Sequence, residues 1–166
     1  MEPVGMITTI VIFLVVLATA LLSGVANSLS DNFSGVCWII LLIFAVLAVI
    51  QASRHIKNKA NPILAYTCSF ISQLSFAFFM MLTIWDLCLV AGEGILGLFG
   101  FILLIPLVGI SIAVCRFPNI IGFGVTEDQS VLILDALATP VLIVICCFVF
   151  DYWDSAPVVL RFLFGG

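Results

Sequence analysis

Five long stretches of apolar residues, separated by short polar segments, run along the chain near residues 6–24, 36–52, 63–90, 95–115 and 127–152. A helix crossing the roughly 30 Å hydrocarbon layer needs about 20 apolar residues. Inside lipid, every backbone N–H and C=O of such a segment must find its partner within the fold. The pattern therefore predicts an all-α, polytopic membrane protein, a single domain built as a bundle of about five transmembrane helices. The second stretch is short for a full span.

The polar breaks predict how the helices end. Residues 25–35 read as a polar loop without Lys or Arg, and residues 53–62 as a basic loop closed by Asn61-Pro62, with Pro at the start of the third helix. Gly92-Glu93-Gly94 reads as a tight reversal, because two glycines permit backbone angles that other residues avoid. Arg116-Phe117-Pro118 is expected to end the fourth helix, with Pro106 kinking it on the way. Thr126-Glu127-Asp128-Gln129 has the form of a capping box for the fifth. The tail, 157–166, sets apolar residues around Arg161 and is expected to lie at the interface or against the bundle. Small residues four apart, Thr19 with Ser23 and Ala20 with Gly24, would let another helix approach the first closely. Gly97, Gly100, Gly109 and Ala113 offer similar openings on the fourth.

Composition agrees with this pattern. The chain is 64 % hydrophobic and 8 % charged, with a mean hydropathy of +1.41, too little polar surface to cover a soluble core. The net charge of −4 and the lack of a basic tract argue against a nucleic-acid partner. The first residues carry Glu2 and no basic group, which is wrong for the n-region of a secretory signal, so the first stretch reads as a membrane helix.

Charge then orients the bundle. With alternating helices, the N-terminus, residues 53–62 and residues 116–130 share one side and hold four of the five Lys and Arg residues. The excess of basic residues places that side in the cytoplasm, and the C-terminus outside. Arg54, Lys57, Lys59 and Arg116 are then expected at the cytoplasmic headgroups. The membrane expected is a bacterial inner membrane.

Chemistry is sparse. Asp135 lies within an apolar helix, where a carboxylate is costly and faces protein or water. Thr139 and Cys146 share its face, about 40° and 20° away at 100° per residue. Two readings are open: part of a proton or cation path, or an anchor near the headgroups paired with Arg116 or a basic-loop lysine. On the third helix Ser69, Ser72, Thr83 and Asp86 form a polar stripe with Gln73 to its side, fit either to line a pore or to serve as the seam of a bundle or subunit contact.

His55 stands alone in the basic loop and is expected to be solvated or to touch headgroups. The six cysteines lack zinc or haem spacing and read as small buried hydrophobes. Cys37 and Cys88 are expected at similar depth on neighbouring helices, as free thiols because helices packed at about 8–10 Å rarely place two Cα atoms within bridging distance. No nucleophile elbow, phosphate-binding glycine loop, HExxH or paired carboxylates are present, so no enzyme, metal or cofactor is expected.

The reading is a small non-catalytic subunit of a larger membrane assembly of the secretion, conjugation or respiratory type. Its partners would be the bilayer and other membrane subunits or copies of itself. The alternative is a homo-oligomeric channel or transporter subunit using Asp135 or the third-helix stripe.

Overall fold

The computed structural model describes residues 3–124 and 129–165, and the side chains of 7–117 and 129–165. Its elements are α1 (Pro3–Asp31), α2 (Phe33–Lys57), α3 (Pro62–Gly92), α4 (Ile95–Gly124), α5 (Gln129–Phe150) and the short α6 (Ala156–Phe164). All five long helices contain a stretch long and apolar enough to cross a membrane. The all-α membrane bundle predicted from the apolar runs is the fold found.

α1 to α4 extend beyond the apolar runs, whereas α5, expected over 127–152, is found over Gln129–Phe150, with residues 125–128 outside those described. The polar loop expected at 25–35 is absent: α1 continues to Asp31, and only Asn32 separates it from α2. Polar residues outside the hydrocarbon do not stop a helix unless they also supply a cap, and the one that does so is Asn32. Both its backbone N–H and its side-chain Nδ2 donate to the Ser28 carbonyl, at 3.3 and 3.0 Å. Likewise Arg54, His55 and Lys57 belong to the last turn of α2 and not to a loop, where cations complement the negative end of the helix dipole. Nor does Arg116-Phe117-Pro118 end α4, which runs on to Gly124; proline interrupts a membrane helix less readily than a soluble one. The capping box falls partly on residues 125–128, outside those described.

Residues 58–61 make the turn from α2 to α3. Lys59 N–H donates to Ile56 O and Ala60 N–H to His55 O, both at 3.0 Å. This is a Schellman closure, with Lys59 at φ 66° in the left-handed position that glycine favours. Asn61 then caps α3, its Oδ1 accepting from Ile63 N–H at 3.0 Å, with Pro62 in the first turn. A side chain held left-handed costs about 1–2 kcal/mol. Lys59→Gly should therefore raise the thermal unfolding midpoint in detergent, by about 1 kcal/mol of stability, while Lys59→Ala should leave it unchanged.

α3 is the hub, touching every other helix. Cross-helix pairs fix the directions. Gln51 meets Gln73 and Phe33 meets Trp85, so α2 runs against α3. Thr139 meets Ser72 and Ser155 meets Asp86, so α5 runs with it. α1 packs its Leu22, Ala26 and Leu29 near Ile84, Cys88 and Ala91, and Ser23 Oγ reaches Ala91 O at 3.3 Å. The close approach thus occurs at Ser23, while Gly24 faces open space. The tail expected against the bundle is α6, whose Val159 is fully buried and whose Phe162 stacks edge-on with Phe33 and at a tilt with Trp85. The reversal from α3 to α4 is at Gly92-Glu93-Gly94, with Gly94 at φ 72°.

Candidate functional site: a buried polar clasp

The largest group of buried polar side chains among the described residues gathers where α2, α3 and α5 meet. Gln51 on α2, Ser69, Ser72 and Gln73 on α3, and Asp135 and Thr139 on α5 are all buried, none more than 2 % exposed. Asp135 has two donors: Gln51 Nε2 to Oδ2 at 3.0 Å and Thr139 Oγ1 to Oδ1 at 3.1 Å. Each donor is itself supported from α3. Gln73 Nε2 donates to Gln51 Oε1 at 2.7 Å, and Ser72 Oγ donates to Thr139 Oγ1 at 3.4 Å. Two arms of hydrogen bonds therefore converge on one carboxylate, with every proton directed towards it. Such an arrangement ties three helices at one level.

The local sequence puts these groups together simply. Asp135 and Thr139 are one turn apart and so share a face of α5. Ser69 and Gln73 are likewise one turn apart on α3. Gln51 is six residues before Lys57, about 9 Å from the end of α2 at 1.5 Å per residue. The clasp thus lies in the half of the bundle nearer the α2–α3 turn, within the apolar spans of α2, α3 and α5.

Three titratable groups lie nearby with no hydrogen bond or ion pair to Asp135. Asp135 makes no ion pair among the described residues. His55 on α2, Cys68 on α3 and Arg116 on α4 lie within reach of its field. The expected pairing of Asp135 with Arg116 or a lysine is not found. The Arg116 guanidinium instead sits over the Phe76 ring, 3.8 Å from its centroid, and 5.2 Å from that of Phe44, a cation–π seat that holds it half-buried in the bundle. That differs from the headgroup position expected for Arg116. Arg54, Lys57 and Lys59 are exposed at the end of α2 and in its turn. His55, expected to be solvated, is 5 % exposed, because the extended α2 places it one turn beyond Gln51 on the same inward face.

The third-helix stripe divides. Ser72 enters the clasp, Thr83 donates to Phe79 O of its own helix at 2.9 Å, and Asp86 accepts from Ser155 Oγ in the segment after α5. Ser69 Oγ and Gln73 Oε1 are buried with no hydrogen-bond partner. Gln51 and Gln73, which carry one arm, were not singled out as site residues by sequence reasoning. The available signal was a neutral amide inside an apolar helix, a group that seeks a partner across helices.

All six cysteines are free and buried. Cys37 and Cys88 belong to separate apolar clusters, whereas Cys115 and Cys146 bring their Sγ atoms to 3.6 Å between α4 and α5. Among the described residues no group of three or more His, Cys, Asp or Glu converges.

The fold and the clasp define an integral membrane protein of the polytopic α-helical class. No family model, no curated protein and no solved structure matches the chain.

Proposed function

We propose that the chain is a non-catalytic integral membrane subunit of a larger multi-protein membrane assembly, of the secretion, conjugation or respiratory kind. The observation that carries this reading is the inward use of its membrane-depth polar groups. Gln51, Gln73, Ser72, Thr139 and Asp135 are spent on joining α2, α3 and α5, so these groups line no open conduit within the chain. What the protein presents to its surroundings is the long, largely exposed apolar surface of α1 and α4, together with short turns at either end. A protein of that kind works through its shape and its outer faces, to lipid, to other subunits or to copies of itself. The excess of basic residues around residues 53–62 and 116–130 supports a cytoplasmic position for that side, in a bacterial inner membrane, with the C-terminus outside.

A second reading, a homo-oligomeric channel or transporter subunit, is favoured by Asp135 itself, an ionisable group at membrane depth. Blue-native electrophoresis after mild detergent extraction separates the two. Comigration with unrelated chains is the result expected of a subunit. A closed homo-oligomer would favour the conductor, and a monomer under the mildest conditions would contradict both.

A further inference from the structure

We infer that Cys115 and Cys146 are a reversible dithiol–disulfide pair, oxidised within the bundle by a lipid-soluble organic hydroperoxide, and that the bond locks α4 to α5. The pair acts in the same way under either functional reading.

Two buried sulfurs from different helices meet here. Cys115 on α4 is fully buried and Cys146 on α5 is 8 % exposed, with their Sγ atoms 3.6 Å apart. Both are free thiols in direct contact. An S–S bond of about 2.05 Å leaves roughly 1.5 Å to close, a gap that turns about the two Cα–Cβ bonds can cover. Among the described residues no other two cysteine sulfurs meet in this way, although all six are buried.

The surroundings select the oxidant. Phe76, Phe79, Met81 and Ile143 belong to the same buried apolar cluster as the pair. Beside Cys146 on α5, Ile145 and Val149 are exposed and apolar, so the near side of the pair faces lipid. Water-soluble thiols, which keep cytosolic cysteines reduced, have no polar route to it. Arg116, next to Cys115 on α4, is held over the Phe76 and Phe44 rings, and its charge acts on the Cys115 sulfur. A neighbouring cation favours negative charge building on an attacking sulfur.

Cys146, the less enclosed thiol, attacks the terminal oxygen of the hydroperoxide. The O–O bond breaks, the alcohol leaves with the thiol proton, and Cys146 becomes a sulfenic acid. The Cys115 sulfur then attacks the Cys146 sulfur. An S–S bond forms, the S–O bond breaks, and hydroxide leaves with the Cys115 proton as water. Two electrons have passed from the two thiols to the peroxide bond. The bond joins residues 31 apart in sequence, which stabilises by restricting the unfolded chain. A membrane-permeant dithiol reverses it by two exchange steps.

The test uses the full chain in lipid vesicles treated with cumene hydroperoxide, then denatured, alkylated with iodoacetamide and analysed by mass spectrometry. The untreated chain should alkylate at all six cysteines, and the treated chain at two fewer, with one peptide pair joined through Cys115 and Cys146. Dithiothreitol should restore full alkylation, and the oxidised protein should melt higher than the reduced one. Cys115→Ser, unable to close the bond, should leave a sulfenic acid on Cys146 that dimedone traps. In chains that melt cooperatively, Arg116→Gln should close the bond more slowly and Arg116→Lys at nearly the wild-type rate. Full alkylation of the wild type, at a dose that converts methionine to its sulfoxide in the same sample, would overturn the proposal. A bond between any other two cysteines would overturn it equally.

Discussion

Replacing Gln51 by leucine should destabilise the bundle by about 2–4 kcal/mol, the sum expected for two interhelical hydrogen bonds and a buried carboxylate left short of a donor. The side chain is the only link between Gln73 and Asp135 along its arm, giving one bond and accepting another. Leucine fills much the same space and offers neither. It strands Gln73 Nε2 on α3 and Oδ2 of Asp135 on α5, both on buried side chains. Unfolding in mixed micelles of increasing denaturing detergent measures the change. Ser75→Ala is the control: its hydroxyl bonds only Ile71 O of its own helix, at 2.6 Å, and its loss should cost about 0.5 kcal/mol or less. Equal, small effects of the two substitutions would show that the clasp contributes nothing special to the fold.

Gly97→Ala should be the second severe change. A Cβ at Gly97 would lie 2.0 Å from the Val90 carbonyl oxygen, in the last turns of α3. The obstacle is backbone, so no rotamer relieves it, and α4 must move away from α3 just after the Gly94 reversal. Gly100, one turn on, is tight against Val90 Cγ1 at 3.0 Å, so the shift would spread. Overpacking of this kind costs about 1–3 kcal/mol. Gly109 provides the contrast, since a Cβ there meets nothing within 4 Å. In a helix interior, Gly109→Ala should stabilise by about 0.5–1 kcal/mol. Thermal unfolding of the two variants in one detergent should therefore move in opposite directions.

What could be read from the sequence follows from which signals are strong in a membrane. Twenty apolar residues in a row have few alternatives to a spanning helix, and all five such runs became helices. Polarity used as a stop signal sets the ends of α1 to α4 too short. Polarity marks where the hydrocarbon ends, whereas a helix ends where its last carbonyls are capped. At α2 that cap is the Lys59 turn, which lacks the glycine that would have announced it. The error carried over to His55, which was placed in a loop and instead lies on an inward face. Asp135 stood out because a lone charge in an apolar run is conspicuous. Thr139 stands out with it, one turn on, but the glutamine arm does not, because Gln51 lies beside the expected end of a helix and Gln73 lies off the serine stripe. Finding them requires knowing which faces meet, and that is set by packing around α3, not by any periodicity within one helix. Arg116 escaped for a related reason: its aromatic seat is made by Phe44 and Phe76, from two other helices.

The account rests most directly on five crossings with α3 at the centre, and this places the α2–α3 turn and the α3–α4 turn on opposite faces of the membrane. Asn58→Cys and Glu93→Cys, each in a background whose six native cysteines are replaced by alanine, can be labelled with a membrane-impermeant maleimide in sealed vesicles of one orientation. Labelling of one position from outside, and of the other only after the vesicles are opened, is the result predicted. Labelling of both positions from the same side would contradict the fold.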